Sequence, residues 1–324
     1  MSDPTIVRFW GTRGTLPVAA TAREVRAKVA NALVVARGRS IDSYDDAERF
    51  IDEELDFASA ATYGGATSCV EIECGDGAFF VCDMGSGLQS FGRDAARLCR
   101  RGREPKFNFF LSHMHWDHIM GFPVFQPAFD DNATIVIHAC HEDAEAALRR
   151  QQEETSYPIP FDAWAARIRF VKLEPGIEVQ VDGLSVTPMR QDHPHDSFGY
   201  RFADPSGRAI VYSTDGEHRI DNMGREDEVT EFFRDAELVI CDTMYSLAAT
   251  SSSKEDWGHS SNVVAIDLCH RAAAKRLALF HHDPLLDDEE IQRLHEDSVR
   301  YEELTREGEK LEVLCAYDGL EVVI

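Results

Sequence analysis

Basic residues are scarce in this 324-residue chain. Lys and Arg number 33 against 58 Asp and Glu, for a formal charge of −25. Such a surface repels a nucleic-acid backbone unless a basic patch is concentrated locally. The densest basic stretches, Arg97 to Arg103 and Arg23 to Arg39, have no interleaved aromatics and read as exposed helix faces. A long nucleic acid is therefore not an expected partner. Long apolar runs are missing too, and none approaches the roughly 20 residues that span a bilayer. No membrane partner is expected. The eight cysteines form no CxxC pair. Cys74, Cys82, Cys241 and Cys315 sit in apolar strand contexts, so buried free thiols in a reducing compartment are expected. Met1–Thr5 has no basic region followed by an apolar stretch, hence no visible secretory leader. The expected location is cytoplasmic.

What is present reads as a mixed α/β chain. Ile6–Trp10 is a strand closed by Gly11-Thr12-Arg13-Gly14. From Ala22 to Ala36 the period is helical, with Val25, Val29 and Leu33 on one stripe. A second helix is expected from Tyr44 to Phe57, with Ser43 as its N-cap. Strands over Ser68–Cys74 and Ala78–Cys82 flank a Gly75-Asp76-Gly77 turn, a hairpin signal. A helix follows from Leu88 to Arg101. Strands then cluster between Ile168 and Tyr212, and helices and strands alternate to the end. Two strand-rich halves with helices around both predict sheets packed face to face inside helical layers.

The densest chemistry is Ser112-His113-Met114-His115-Trp116-Asp117-His118, directly after the apolar run Phe107–Leu111. Four metal-ligating side chains fall within six residues. A chain gathers that density at a strand end mainly to bind metal, because buried His and Asp without partners are costly. Further candidates also follow strands. They are Asp192-His193-Pro194-His195, Asp215 after Ile210–Tyr212, and His281-His282 after Leu277–Phe280. His259 lies just before a helix. His193 and His195 compete for one role, as do His281 and His282. Successive strand residues point opposite ways, so only one of the latter pair can face the centre. His282 is expected to order the Asp283-Pro284 turn or to line the rim. His138, His141, His218, His270 and His295 have local contexts that explain them without function.

The set resembles the metallo-β-lactamase-fold superfamily. His113, His115, Asp117 and His118 match its His-x-His-x-Asp-His signature. Phe9-Trp10-Gly11-Thr12-Arg13-Gly14, Tyr63-Gly64-Gly65, Asp83-Met84-Gly85 and Phe198-Gly199-Tyr200 look most like the phosphodiesterase and ribonuclease Z branch. The resemblance implies the α/β class and a four-layer αββα sandwich in a single domain. It implies two divalent ions, zinc by default, with manganese or iron compatible. His113, His115 and His193 would hold one ion. Asp117, His118 and His281 would hold the other, and Asp215 would bridge both. Asp83 sits where the family has an acid that orients a ligand. His259 would lie on the leaving-group side as a proton donor, and Asp117 could also orient the nucleophilic water.

The resulting expectation is a metal-dependent hydrolase. It is a phosphodiesterase acting through a metal-bridged hydroxide on a small phosphodiester such as a cyclic nucleotide. The acidic surface favours a small substrate, and the chain has no Gly/Pro-rich basic arm of the kind ribonuclease Z uses to hold transfer RNA. The alternatives are a ribonuclease Z-like nuclease, a lactonase or thioesterase on the same fold, and a non-catalytic metal binder. The chain departs from the family pattern at about residues 16–62, a helical insertion where relatives have a short loop. Lid, homodimer contact and solvent-side decoration are its candidate roles.

Overall fold

The computed structural model describes residues 5–75, 77–218, 223–245 and 258–324. Asp76, at the centre of the expected hairpin turn, and Trp257 lie outside them. Among the described residues two seven-stranded sheets form. In the first, the order is β14 (Glu321–Val323), β1 (Thr5–Gly11), β2 (Cys69–Cys74), β3 (Phe79–Cys82), β4 (Lys106–Leu111), β5 (Thr134–Ala139) and β6 (Arg167–Lys172). In the second it is β13 (Glu312–Cys315), β12 (Arg276–Phe280), β11 (Leu238–Asp242), β10 (Ala209–Ser213), β9 (Ser197–Ala203), β8 (Leu184–Gln191) and β7 (Val179–Val181). Each sheet is antiparallel on one side and parallel on the other. Pairing turns parallel from β3 to β6 and from β10 to β13.

Side-chain alternation explains the layering. In β3, Phe80 and Cys82 join the core between the sheets, while Phe79 and Val81 face the outer helical layer. In β10 to β12 the same division holds. Tyr212, Ile240 and Phe280 point to the sheet interface, and Val211, Cys241 and Leu279 point to the second helical layer. The outer layers include α4 (Leu88–Arg100) on the first sheet and α7 (Met223–Phe233) with α8 (Asn262–Arg271) on the second. The result is the four-layer αββα sandwich. Strands buried on both faces read as near-continuous apolar runs, as Phe107–Leu111 does apart from Asn108. Each fully buried Phe at the interface contributes roughly 1.5–3 kcal/mol.

Two buried tyrosines also tie the sheets together next to the motif. Tyr200 Oη donates to the Leu111 carbonyl at 2.6 Å, and Tyr212 Oη donates to Asp83 Oδ2 at 2.7 Å. All eight cysteines are free thiols, and six of them are buried. No helix among the described residues is long and apolar enough to cross a membrane.

The insertion differs from expectation in two respects. The helix begun at Tyr44 ends at Glu54, because Asp56 caps a separate short helix. The three helices are α1 (Ala22–Val35), α2 (Tyr44–Glu54) and α3 (Phe57–Ala60). The Val25–Val29–Leu33 stripe of α1 does not enter a core. Neither α1 nor α2 has a buried residue. What holds α1 is polar: Lys28 Nζ donates to the Ala58 and Ala61 carbonyls and to Asp288 Oδ2 at 2.6 Å. Asp288 opens α9 (Asp288–Thr305).

Candidate metal centre

The centre lies at strand ends of both sheets. β4 delivers His113, His115, Asp117 and His118, the last two on the single-turn helix α5 (Trp116–Ile119). The second sheet supplies the rest: His193 follows β8, Asp215 follows β10 and His281 follows β12. Asp83, Asp215 and His281 all have left-handed backbone, with φ of 59°, 51° and 61°. Such φ values are uncommon outside glycine and gather at functional sites. They turn the chain sharply where a strand stops, which aims each side chain across the sheet ends.

All seven sequence-predicted ligands come together. His118 Nε2 lies 3.3 Å from His281 Nε2, 3.2 Å from Asp117 Oδ2 and 3.2 Å from Asp215 Oδ2. His281 Nε2 lies 3.4 Å from Asp117 Oδ2 and 3.3 Å from Asp215 Oδ2. Four donors at bond lengths of about 2.0–2.1 Å around a tetrahedral ion sit about 3.3 Å apart. Asp117, His118 and His281 therefore stand at the spacing of ligands around one cation, and Asp215 Oδ2 keeps the same spacing to both imidazoles. Two carboxylates and two imidazoles also suit a borderline-soft divalent ion.

The other group is His113, His115 and His193. His193 Nε2 is 3.1 Å from His115 Nδ1. Asp215 Oδ1 lies 3.9 Å from both His113 Nε2 and His193 Nε2. Asp215 thus turns one oxygen to each group. His113 Nε2 is buried without a hydrogen-bond partner, a costly condition that a bound cation would remove.

Surrounding groups fix the rings. Asp83 is fully buried and accepts from Ser112 N (2.8 Å), Ser112 Oγ (2.7 Å) and His118 Nδ1 (2.7 Å), besides Tyr212. His113 Nδ1 is 3.0 Å from Ser112 Oγ. His193 Nδ1 donates to the Gly258 carbonyl at 2.9 Å. Each contact leaves the other ring nitrogen aimed at the centre, the usual role of outer partners in metal sites. The two open sequence choices separate here. His195 joins neither group. His282 turns away, with Nε2 2.7 Å from the Ala316 carbonyl. The turn at Asp283 is held instead by Arg13, whose Nη1 donates to the Asp283 and Leu286 carbonyls. That corrects the expected role of His282.

Two contributors escaped the sequence reading. Asp242, at the end of β11, lies 2.6 Å through Oδ2 from His259 Nδ1. An acid directly after an apolar strand is the signal that marks Asp215, and it marks Asp242 equally. The Thr15 amide donates to Asp117 Oδ2 at 2.7 Å. Gly14 lets that loop approach, since a Cβ there would lie 2.5 Å from His281 Cε1. Backbone donors carry no sequence signal.

Electrostatics divide the imidazoles. Burial lowers the His113 and His193 pKa values, and burial together with the neighbouring His193 lowers His115. Burial also opposes the charge on His118, yet Asp215, Asp117 and Asp83 outweigh it and raise its pKa. Burial works against the Asp215 carboxylate, but His281, His118 and His113 hold it well below the usual range. For His259, burial is outweighed by Asp242 and Asp215, which push it up to about 9.

A family model described as the beta-lactamase superfamily domain matches residues 91–282, and the chain belongs to that superfamily. An uncharacterised protein of Mycobacterium leprae is 24% identical over 213 residues, 65% of this chain and 69% of its own. Among solved structures, the metallo-beta-lactamase fold protein YhfI from Bacillus subtilis aligns with a TM-score of 0.64 and 18% identity, over 99% of this chain and 100% of its own. The short form of human tRNase Z aligns with a TM-score of 0.60 and 18% identity, over 98% of both chains. At those identities the structural likeness establishes the metallo-β-lactamase fold.

Proposed function

We propose that this protein is a dinuclear metal-dependent phosphodiesterase acting on a small phosphodiester such as a cyclic nucleotide. The observation that carries the reading is Asp215, with Oδ2 in the His118–His281–Asp117 group and Oδ1 toward His113 and His193. One carboxylate shared between two donor groups fits a pair of ions better than one closed structural site. His113, His115 and His193 would hold one ion, and Asp117, His118 and His281 the other. Zinc suits the donors best, and manganese or iron fits them too. When bound, such a pair polarises a phosphoryl oxygen and acidifies water.

The chain's own residues do the rest. Asp83 holds the His118 ring in place. Asp242 binds His259 at Nδ1 and favours its protonated form, leaving Nε2 to face a bound ligand. A protonated imidazole there can donate to a departing alkoxide oxygen, a contribution typically of 10²–10⁴ in rate. Asp117, held by the Thr15 amide, is positioned to orient the attacking water. Phosphoryl chemistry is favoured over acyl chemistry by this proton donor beside the centre, with Nδ1 4.0 Å from Asp215 Oδ1, and by the similarity to tRNase Z. A small substrate is favoured by the charge of −25, which disfavours a long polyanion.

The test is a screen of metal-loaded protein against cyclic mononucleotides, cyclic dinucleotides, bis(p-nitrophenyl) phosphate and short RNA, with a thioester and a lactone as counter-substrates. Turnover of phosphodiesters alone is expected. Preference for the thioester or lactone would refute the phosphoryl reading, and preference for RNA would refute the small-substrate reading. Full turnover by Asp215→Ala would refute the bridging role.

A further inference from the structure

The segment that carries α1 and α2 is anomalous. Of the sixteen large apolar side chains exposed among the described residues, nine fall between Leu16 and Ile51. Val25, Val29 and Leu33 are 51%, 55% and 71% exposed. They recur every four residues and so share one stripe. Lys28 and Asn31, which tie α1 to Asp288 and Ser59, lie about 100° and 160° round the helix from the mid-line of that stripe. The stripe consequently faces away from the body of the protein. Helices of 14 and 11 residues without a buried side chain are marginal on their own in water.

Charge specifies what could cover this face. Residues 21–39 hold five basic side chains and one acid, a net of +4 in a chain of −25. Residues 42–56 hold eight acids and Arg49, a net of −7. Arg23, Arg26 and Arg37 make no ion pair among the described residues, and neither do Asp45, Asp52 and Glu53. The consecutive helices α1 and α2 thus carry the two halves of a complementary surface. A two-fold axis would lay the basic α1 of each copy on the acidic α2 of the other, with the apolar stripes between them. In an isologous contact every such pairing occurs twice. Elsewhere two chains of this charge repel.

We propose that the α1–α2 segment is a homodimer interface, in which each copy of the chain covers the other's Val25–Val29–Leu33 stripe. The proposal is independent of the reaction assigned to the metal centre.

Sedimentation velocity on the full chain over a micromolar concentration series tests it. A particle of twice the 36.4 kDa chain mass is expected. Val29→Glu with Leu33→Glu should weaken association by about 100-fold, because charges would be buried at the centre of the contact. Leu304→Glu, equally exposed on α9 but remote from that segment, should leave the dimer intact. Hydrogen exchange on the unmodified protein is the second readout. Amides of residues 22–35 and 44–54 should gain protection as concentration rises. It decides the matter if the double variant fails to fold. A single-chain mass throughout, a dimer that survives in the folded double variant, or exchange independent of concentration would each overturn the proposal.

Discussion

Asp83→Asn removes one charge and almost no volume from the support of the centre. Four donors converge on this carboxylate: three on Oδ2, from Ser112 Oγ, His118 Nδ1 and Tyr212 Oη, and one on Oδ1, from Ser112 N. An asparagine has one acceptor oxygen and an NH₂ that only donates. Its better orientation keeps the oxygen under the three donors and sets the NH₂ against the Ser112 N–H. That clash leaves two buried donors unmet, at about 1–3 kcal/mol for the site. The three remaining bonds lose charge assistance, at about 1 kcal/mol each. The sum is about 4–6 kcal/mol, against a typical total stability of 5–15 kcal/mol. Because His118 loses its anchor, metal affinity should also fall by about 10–100-fold. Urea unfolding of the metal-free protein gives the first quantity, and competition with a chromogenic chelator gives the second. A variant with an unchanged urea midpoint and unchanged metal affinity would refute the view that Asp83 supports the centre.

Other perturbations probe separate parts. Asp242→Asn should carry the alkaline limb of the kcat/KM profile from near pH 9 down toward the ordinary histidine value of 6.5, because the carboxylate that favours protonated His259 is gone. A pH-rate profile with the limb unmoved would exclude His259 as the proton donor. Gly14→Ala places a Cβ 2.5 Å from His281 Cε1 and should cut metal affinity while far-UV circular dichroism stays native. Isothermal titration with zinc showing native affinity would count against that. Glu71, 2% exposed, has a pKa raised to about 7 by burial, against an ordinary 4.5. The folded state thus keeps a proton that the unfolded chain has lost between pH 4.5 and 7. Stability should fall across that window by up to about 3 kcal/mol and level off above it. Glu71→Gln should flatten the profile, as urea titrations from pH 4.5 to 8 would reveal.

The layered fold was legible because alternation and apolar runs announce strands, and strand-helix order then constrains their packing. The seven side chains that meet at the centre were legible for a related reason: each follows a strand, so a His or Asp past its end projects from the end of a sheet. His193 against His195, and His281 against His282, needed coordinates, since adjacent imidazoles differ only in direction. Asp242 obeys the same strand-end rule, but no histidine stands beside it in sequence to set it apart from an ordinary surface acid. The Thr15 amide was beyond any reading of side chains. The Val25–Val29–Leu33 period correctly gave a helix, but periodicity reports that a stripe exists and is silent on what covers it.

The donors are spread along the chain from His113 on β4 to His281 on β12, and neither donor group is complete within one sheet. Contacts so distant in sequence form slowly, after the loops between them have closed. On the ribosome, the Asp117–His118 group lacks its second imidazole until His281 has emerged. The centre cannot act as a seed around which the polypeptide folds, as the ion of a zinc finger does. Metal must instead arrive at an already folded protein, so the empty pocket has to survive by itself. His118, whose pKa Asp215, Asp117 and Asp83 raise, allows this by carrying a positive charge among the carboxylates in place of the cation. Loading then exchanges the His118 proton for metal, so maturation of the protein is governed by acidity as well as by metal supply.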